Sequence, residues 1–289
     1  MTLLVSNNWE ADIVDIETTF LYGELEEEIY IKVPEGLETY LDTMFGPDHC
    51  FLLNKAMYGL VQAARQFYKK FIQIMTKELG FEKCLADSCL LRRTNGNGTV
   101  LVCVYVDDTM CVGDRKAIDE LKKQLEQHFS IKDEGSMEEY VGCTVTRGNQ
   151  GTLTMRQPHL LRKIEKEFGE EVDQVRAYST PAGTRETIMK IKEKDNDLIG
   201  LEPSMQTRYR SGVGILLYLV KFSRPDISNS VRELSKVMDK ATESHYRSLL
   251  RTIKYVLTTQ NLSLFYDSGM VISFKGIWKI IAFYDSDFA

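Results

Sequence analysis

Hydrophobic and polar positions change period several times along the chain, and each change marks an element. Residues 12–16 are apolar apart from their acids and predict a strand, after which residues 18–22 lead to a turn at Gly23. The alternation Ile29-Tyr30-Ile31-Lys32-Val33 predicts a second strand, stopped by Pro34 and Gly36. Beyond Gly59 the period lengthens. Ala64, Phe67, Tyr68, Phe71, Ile72, Met75 and Leu79 recur at helical spacing, and Gly80 is suited to end that helix. Lys69, Lys70 and Lys77 fall off the stripe and read as a solvated face. Residues 90–93 and 99–106 predict a hairpin about Asn95-Gly96-Asn97-Gly98, where Asn-Gly supplies positive backbone angles. Asp114 is placed to cap a helix bearing Ile118, Leu121, Leu125 and Phe129 on one face. Residues 140–146 and 152–155 predict a further hairpin with Gly151 in its turn.

A polar, charged stretch at residues 185–202 reads as a linker or long exposed loop. Three helices are expected after it, at residues 208–222, 226–238 and 242–258, with Pro225 breaking the first from the second. Short strands are expected from Leu262 to the end, and no internal repeat is visible.

Composition narrows the classes. With 289 residues and 43% hydrophobic content, the chain can build a real core. No apolar run approaches a membrane-spanning length, and the first residues lack the pattern of a signal peptide, so the expectation is an intracellular protein. The net charge of −6 argues against tight, salt-resistant binding to a phosphate backbone, without excluding a nucleic-acid enzyme. Cys50, Cys84, Cys89, Cys103, Cys111 and Cys143 form no Cys-x-x-Cys pair and read as buried reduced thiols. Together with His49, His128, His159 and His245 they offer no zinc-binding spacing.

The sharpest chemical signal lies at residues 100–113, where two uncharged apolar runs flank Asp107-Asp108. Both strands of such a hairpin are expected to be buried, with the acids at its tip. Adjacent carboxylates repel one another unless a cation compensates, and their hard oxygens suit Mg²⁺. Asp is also common in ordinary turns, so this feature alone admits a plain hairpin. Asp15 is a third acid in an apolar strand; alone it is either a strand-edge acid or a ligand. Paired with Asp107 it could complete a two-metal site.

Four ordered blocks resemble the reverse transcriptase region of copia-type retrotransposon polyproteins. They are Val14-Asp15-Ile16-Glu17-Thr18-Thr19-Phe20-Leu21-Tyr22-Gly23, Tyr58-Gly59-Leu60-Val61-Gln62-Ala63-Ala64-Arg65-Gln66-Phe67-Tyr68, Tyr105-Val106-Asp107-Asp108, and Arg224-Pro225-Asp226-Ile227. The resemblance covers nearly the whole chain. It implies an α+β fold: a reverse transcriptase-like palm, an antiparallel sheet with backing helices, followed by a mostly helical thumb and connection. The implied divisions are a palm with residual fingers at 1–135 and a primer-grip hairpin and thumb start at 136–184. A linker at 185–202, a helical connection at 203–270 and the start of a ribonuclease H domain at 271–289 follow.

The resemblance also assigns roles. It makes Asp15, Asp107 and Asp108 catalytic residues holding two Mg²⁺ ions, with Mn²⁺ as a substitute. Phe20 would lie under the incoming sugar and exclude a 2′-hydroxyl, although a core Phe would look the same in sequence. Gly59, Gln62 and Arg65 fall in the block near the nucleotide, and Tyr140, Val141 and Gly142 in the hairpin that grips the primer. The implied partners are an RNA or DNA template-primer and deoxynucleoside triphosphates, with no membrane. The implied location is the cytoplasm, in a virus-like particle, or the nucleus. Ala64 and Phe67 depart from the family's usual Pro and Trp. Only fourteen residues precede Asp15, so most of the fingers and its cationic triphosphate contacts are expected to be missing. Asp285 matches the first acid of a ribonuclease H site whose other acids are absent, so no such activity is expected, and no protease or integrase pattern is present. Two readings follow: an RNA-directed DNA polymerase domain, or a catalytically inactive fragment that keeps the fold and binds nucleic acid weakly.

Overall fold

The computed structural model describes residues 1–37, 49–183 and 200–270, and the backbone of 273–274 and 277–278. Most of the expected linker and Asp285 lie outside the described residues. The chain forms two compact units: Asn7–Met137, and Met1–Ser6 with Glu138–Ala289. Each is described by itself.

The Asn7–Met137 unit is built on a six-stranded antiparallel sheet. Its strands are β1 (Glu10–Ile16), β4 (Glu82–Lys83), β5 (Leu90–Asn95), β6 (Gly98–Tyr105), β7 (Asp108–Gly113) and β8 (Ile131–Ser136), in the order β4-β5-β6-β7-β1-β8. A small ribbon of β2 (Tyr30–Lys32) and β3 (Cys50–Leu52) stands apart. The short helix Thr2–Ser6 is α1 and belongs to the other unit; α2 (Ala63–Gln73) and α3 (Arg115–Leu125) back this sheet. Val14, Ile16, Val100, Val102, Val104 and Cys111 form one core with Phe67, Phe71, Ile118, Leu121, Leu125 and Phe129. Because strand side chains alternate, residues between these positions point to the opposite face. That alternation puts Asp15 and Asp108 away from the helices.

The structure corrects several sequence expectations. The helix stripe includes Ala63, Gln66 and Ile74, while Ala64 is exposed. The final turn widens to a π-helix at Ile74–Glu78 before Gly80, whose φ of 69° supplies the expected stop. In the β5–β6 hairpin the expected positive φ is found in the second Asn-Gly pair, at Gly98 with 118°, while the Asn95 side chain accepts a bond from the Asn97 N–H at 2.9 Å. Asp114 sits at the start of α3, yet its side chain takes the Thr99 N–H at 2.7 Å and makes no cap bond. Of the two strands flanking Asp107, β7 is buried on both faces, whereas β6 alternates and ends in an exposed Tyr105. Among the cysteines, only Cys111 and Cys143 are buried, and Cys50 and Cys89 are exposed, because a two-stranded ribbon and the turn before β5 have no layer over them.

The second unit carries a four-stranded sheet of β9 (Glu139–Tyr140), β10 (Cys143–Arg147), β11 (Leu153–Arg156) and β12 (Leu264–Tyr266), in the order β12-β11-β10-β9. The expected strand over 140–146 is in fact broken: Val141 and Gly142 form a two-residue turn at φ 49° and 69°, so that Tyr140 pairs with Cys143. Its helices are α4 (Pro158–Asp173), α5 (Pro203–Phe222), α6 (Ser228–Ser235) and α7 (Glu243–Thr258). Helix α4 was not anticipated, although Ile164, Phe168 and Val172 carry its buried stripe and Pro158 opens it. Helix α5 starts earlier than its apolar pattern suggests, again with Pro near its first turn. No helix among the described residues is long and apolar enough to cross a membrane.

Arg224 joins the helices of this unit. Arg224 is 2% exposed, and its guanidinium grips Asp226 through two bonds of 2.9 Å. It also donates to the Thr259 carbonyl and hydroxyl at the end of α7. Burial works against the Asp226 carboxylate, but Arg224 overrides it and holds the group below its usual range. Removing one partner of such a pair strands the other charge. Arg224→Met is therefore expected to cost about 3 kcal/mol of stability by denaturant titration. A cost under about 1 kcal/mol would mean the pair is not buried in the sense described.

Candidate active site

The acids are placed by strand pairing. Tyr105 pairs with Asp108 across β6 and β7, and Asp108 pairs with Asp15 across β7 and β1. On its other side Asp15 pairs with Lys132 of β8. Directly paired residues share a face, so Tyr105, Asp108, Asp15 and Lys132 form one row across the sheet. Asp107 occupies the two-residue turn before Asp108, and its carbonyl accepts the Ile16 N–H at 3.2 Å. The turn and the end of β1 are thus joined directly.

Val106, the other turn residue, has φ of 57°. A positive φ at the first central residue alone is the pattern of a type II′ hairpin turn, which normally places Gly there. A β-branched residue in this region is strained, at about 1–3 kcal/mol. The flanking strands, paired on both sides along their length, hold the turn closed against that cost.

Two acids of β1 make an informative contrast. Asp12 is 2% exposed and faces the helices, where Lys122 and Arg115 of α3 both bind it. Asp15 lies three residues on, on the opposite face, with no ion pair among the described residues. Burial, and then the charges of Asp107 and Glu134, push the Asp15 carboxyl above its ordinary 3.8, with Lys132 partly opposing. Asp108 is raised by burial and then by Asp107, Asp15 and Glu134. Asp12 is structural and neutralised; Asp15 and Asp108 belong to a net negative cluster in which Lys132, bound to Glu134 at 2.6 Å, offsets only part of the charge.

That cluster fits a hard divalent cation. Among the described residues no group of three or more His, Cys, Asp or Glu side chains is placed to hold a metal ion by itself. Mg²⁺ does not need one, because it is commonly held by one or two carboxylates and completed by water and substrate phosphates. The donors here are all carboxylate oxygens that repel one another, and a cation would relieve the repulsion.

Phe20 is reached through a sharp change of direction. Thr18 adopts φ of 51° just after β1, and the Thr19 hydroxyl bonds back to the Ile16 carbonyl. The following 3₁₀ turn, Thr19–Tyr22, half-buries Phe20 and sets it edge-to-face with Tyr58, ring centres 4.6 Å apart. Gly23 is required here by close approach, since a Cβ would lie 2.9 Å from that of Gln66. Gly59 differs: its φ of 95° demands glycine, while nothing lies within 4 Å of where a side chain would start. Gln62 and Arg65 line a shallow groove with Leu25, Glu26, Glu27 and Gln66. The Lys69 ammonium, 2.6 Å away, holds the exposed Glu26 carboxyl below its usual range.

The comparisons with known proteins decide the family. A family model described as reverse transcriptase (RNA-dependent DNA polymerase) matches residues 1–182. The chain belongs to the reverse transcriptase family. Its curated relatives are copia-type transposon polyproteins. The chain is 30% identical to the Pol polyprotein from transposon TNT 1-94 of Nicotiana tabacum, over 100% of this chain and 21% of that protein. It is 29% identical to the polyprotein from transposon RE1 of Arabidopsis thaliana, over 99% of this chain and 18% of that one. A transposon Ty5-1 protein of Saccharomyces cerevisiae is 28% identical over 89% of this chain and 79% of its own length. The chain thus spans about a fifth of the two plant polyproteins.

Of the residues singled out in the sequence, Asp15, Asp107 and Asp108 are brought together. Phe20 stands with Tyr58, and Gln62 with Arg65. Tyr140, Val141 and Gly142 form their turn in the other unit, where the Tyr218 hydroxyl donates to the Val141 carbonyl at 2.9 Å. Sequence reasoning missed Lys132, Glu134 and Tyr58. Lys132 and Glu134 owe their placement to strand pairing; Tyr58 lay in a recognised block and could have been read from it.

The raised acids carry a pH consequence. A carboxyl with a raised folded pKa keeps its proton longer in the native state than in the unfolded chain. The contribution of these two acids to stability therefore falls as pH rises from 3.8 through their raised folded values, and the loss is complete above them. Asp108→Asn is expected to raise the thermal midpoint near neutral pH, and the gain should vanish below pH 3.8. A lowered midpoint near neutral pH would contradict the repulsion.

Proposed function

We propose that this chain is an RNA-directed DNA polymerase domain of a copia-type element. It would add deoxynucleotides to a primer 3′-hydroxyl opposite an RNA or DNA template. The observation that carries this reading is the row of Asp108 and Asp15 beside the Asp107 turn, in a chain of the reverse transcriptase family. Asp15, Asp107 and Asp108 would hold two Mg²⁺ ions, with Mn²⁺ able to substitute. Such ions, when bound, activate the attacking hydroxyl and stabilise the leaving pyrophosphate oxygen.

The chain's own groups would do the positioning. Phe20, braced by Tyr58, presents a ring where a 2′-hydroxyl would clash. Gly59 keeps a backbone conformation with open space beside it, through which a nucleotide could approach. Gln62 and Arg65 offer amide and guanidinium donors to base and phosphate oxygens. The Tyr140–Val141–Gly142 turn would support the primer end, and its tight two-residue geometry suits contact through the backbone.

The test is primer extension on poly(rA)/oligo(dT) with Mg²⁺ or Mn²⁺, beside Asp107→Asn. Wild-type extension reduced at least about a hundredfold in the variant is expected. Equal background in both would sink the enzyme. Salt-sensitive template-primer binding without extension would instead support a module that binds and does not catalyse. With an active wild type, Phe20→Ala is expected to raise ribonucleotide incorporation roughly tenfold relative to deoxynucleotides. Unchanged discrimination would remove Phe20 from the sugar-binding role.

A further inference from the structure

Strand β8 departs from regular pairing next to the carboxylate cluster. Asp12 pairs with Ser136 and Ile13 with Gly135, but Val14 pairs with Asp133 and Asp15 with Lys132. Glu134 is the residue left over, so this is a β-bulge. Gly135 enters it at φ of 78°, and its N–H donates to Asp133 Oδ1 at 2.9 Å. Bulges re-aim the side chains beyond them, and a one-residue slip moves every later side chain to the other face. With the bulge, Lys132 stands opposite Asp15 in the ladder, its ammonium 2.6 Å from the Glu134 carboxylate. Without it, Asp133 would stand there and add a carboxylate to a cluster that already repels itself.

One side chain spans the bulge. Lys122 of α3, 11% exposed, binds Asp12 on β1 and both oxygens of Asp133 on β8, the latter at 2.7 and 2.8 Å. Arg115, two turns earlier on the same helix face, adds a second bond to Asp12 at 2.8 Å. Asp12 lies before the register shift and Asp133 after it. The ammonium therefore ties the two sides of the irregularity together from beneath the sheet.

We propose that Lys122 is a positioning residue for the carboxylate cluster. By bridging Asp12 and Asp133 it holds the bulge that sets Lys132 opposite Asp15 and Glu134 beside it. It touches none of the reacting groups; it fixes which charge stands next to them. The consequence for catalysis rests on the polymerase reading above, whereas the clamp on β8 does not.

The experiment uses the full chain and three forms: wild type, Lys122→Arg, and Lys122→Met combined with Asp12→Asn. The double variant removes one charge of each sign, leaving net charge unchanged and no stranded buried acid on β1. Lys122→Arg, which can still bridge two carboxylates, should retain activity and slow amide exchange across residues 131–136. In the double variant those amides should exchange faster. Its kcat for primer extension should fall about ten- to a hundredfold, with KM for template-primer within about twofold, as expected for misplacement at the reacting centre. A double variant with wild-type kcat, or an arginine variant that falls equally, overturns the catalytic role. If wild type does not extend primers, the polymerase reading fails by itself. Amide exchange then decides the clamp: faster exchange in the double variant alone supports it, and unchanged exchange overturns it.

Discussion

Asp15, Asp107 and Asp108 repel one another, and the rest of the Asn7–Met137 unit can be understood as what keeps them together. Asp15 and Asp108 are joined by strand pairing and Asp107 by the bond from the Ile16 N–H to its carbonyl, and the apolar residues alternating along the strands are locked under α2 and α3. The acids cannot separate without dragging Val14, Ile16 or Val104 out of that core. Hydrophobic burial thus holds a charge arrangement that electrostatics alone would disperse. The strained Val106 turn is held in the same way.

The sheet treats its acids by face. On the helix side, Asp12 and Asp133 are neutralised by Lys122, with Arg115 on Asp12. On the other side, negative charge is left largely uncompensated, with Lys132 at one end of the row. A period of two residues is enough to separate a structural carboxylate from one available to a cation. Position in the strand decides between them, because the residue type is identical.

Much of the fold could be read from pattern. Phe67, Phe71 and Met75 announced a helix, Ile118, Leu121 and Leu125 another, and Arg224-Pro225 the break between two more. Misreadings came where a local signal had two physical uses. Asp114 could cap α3, yet its carboxylate accepts the Thr99 N–H instead. Val141-Gly142 was hidden inside an apparently continuous strand, since Val gives no sign that it will occupy the left-handed region.

The sequence by itself determined the family and the identity of the acids, because four ordered blocks and an apolar frame around Asp107-Asp108 need no long-range information. It also determined the alternation that sends Asp12 and Asp15 to opposite faces. Only the tertiary structure decided what each acid meets. Lys132 stands beside Asp15 because β8 pairs with β1 through a bulge, and Lys122 reaches both strands because α3 packs beneath them. Register and packing join residues far apart in the chain, and no local periodicity encodes them.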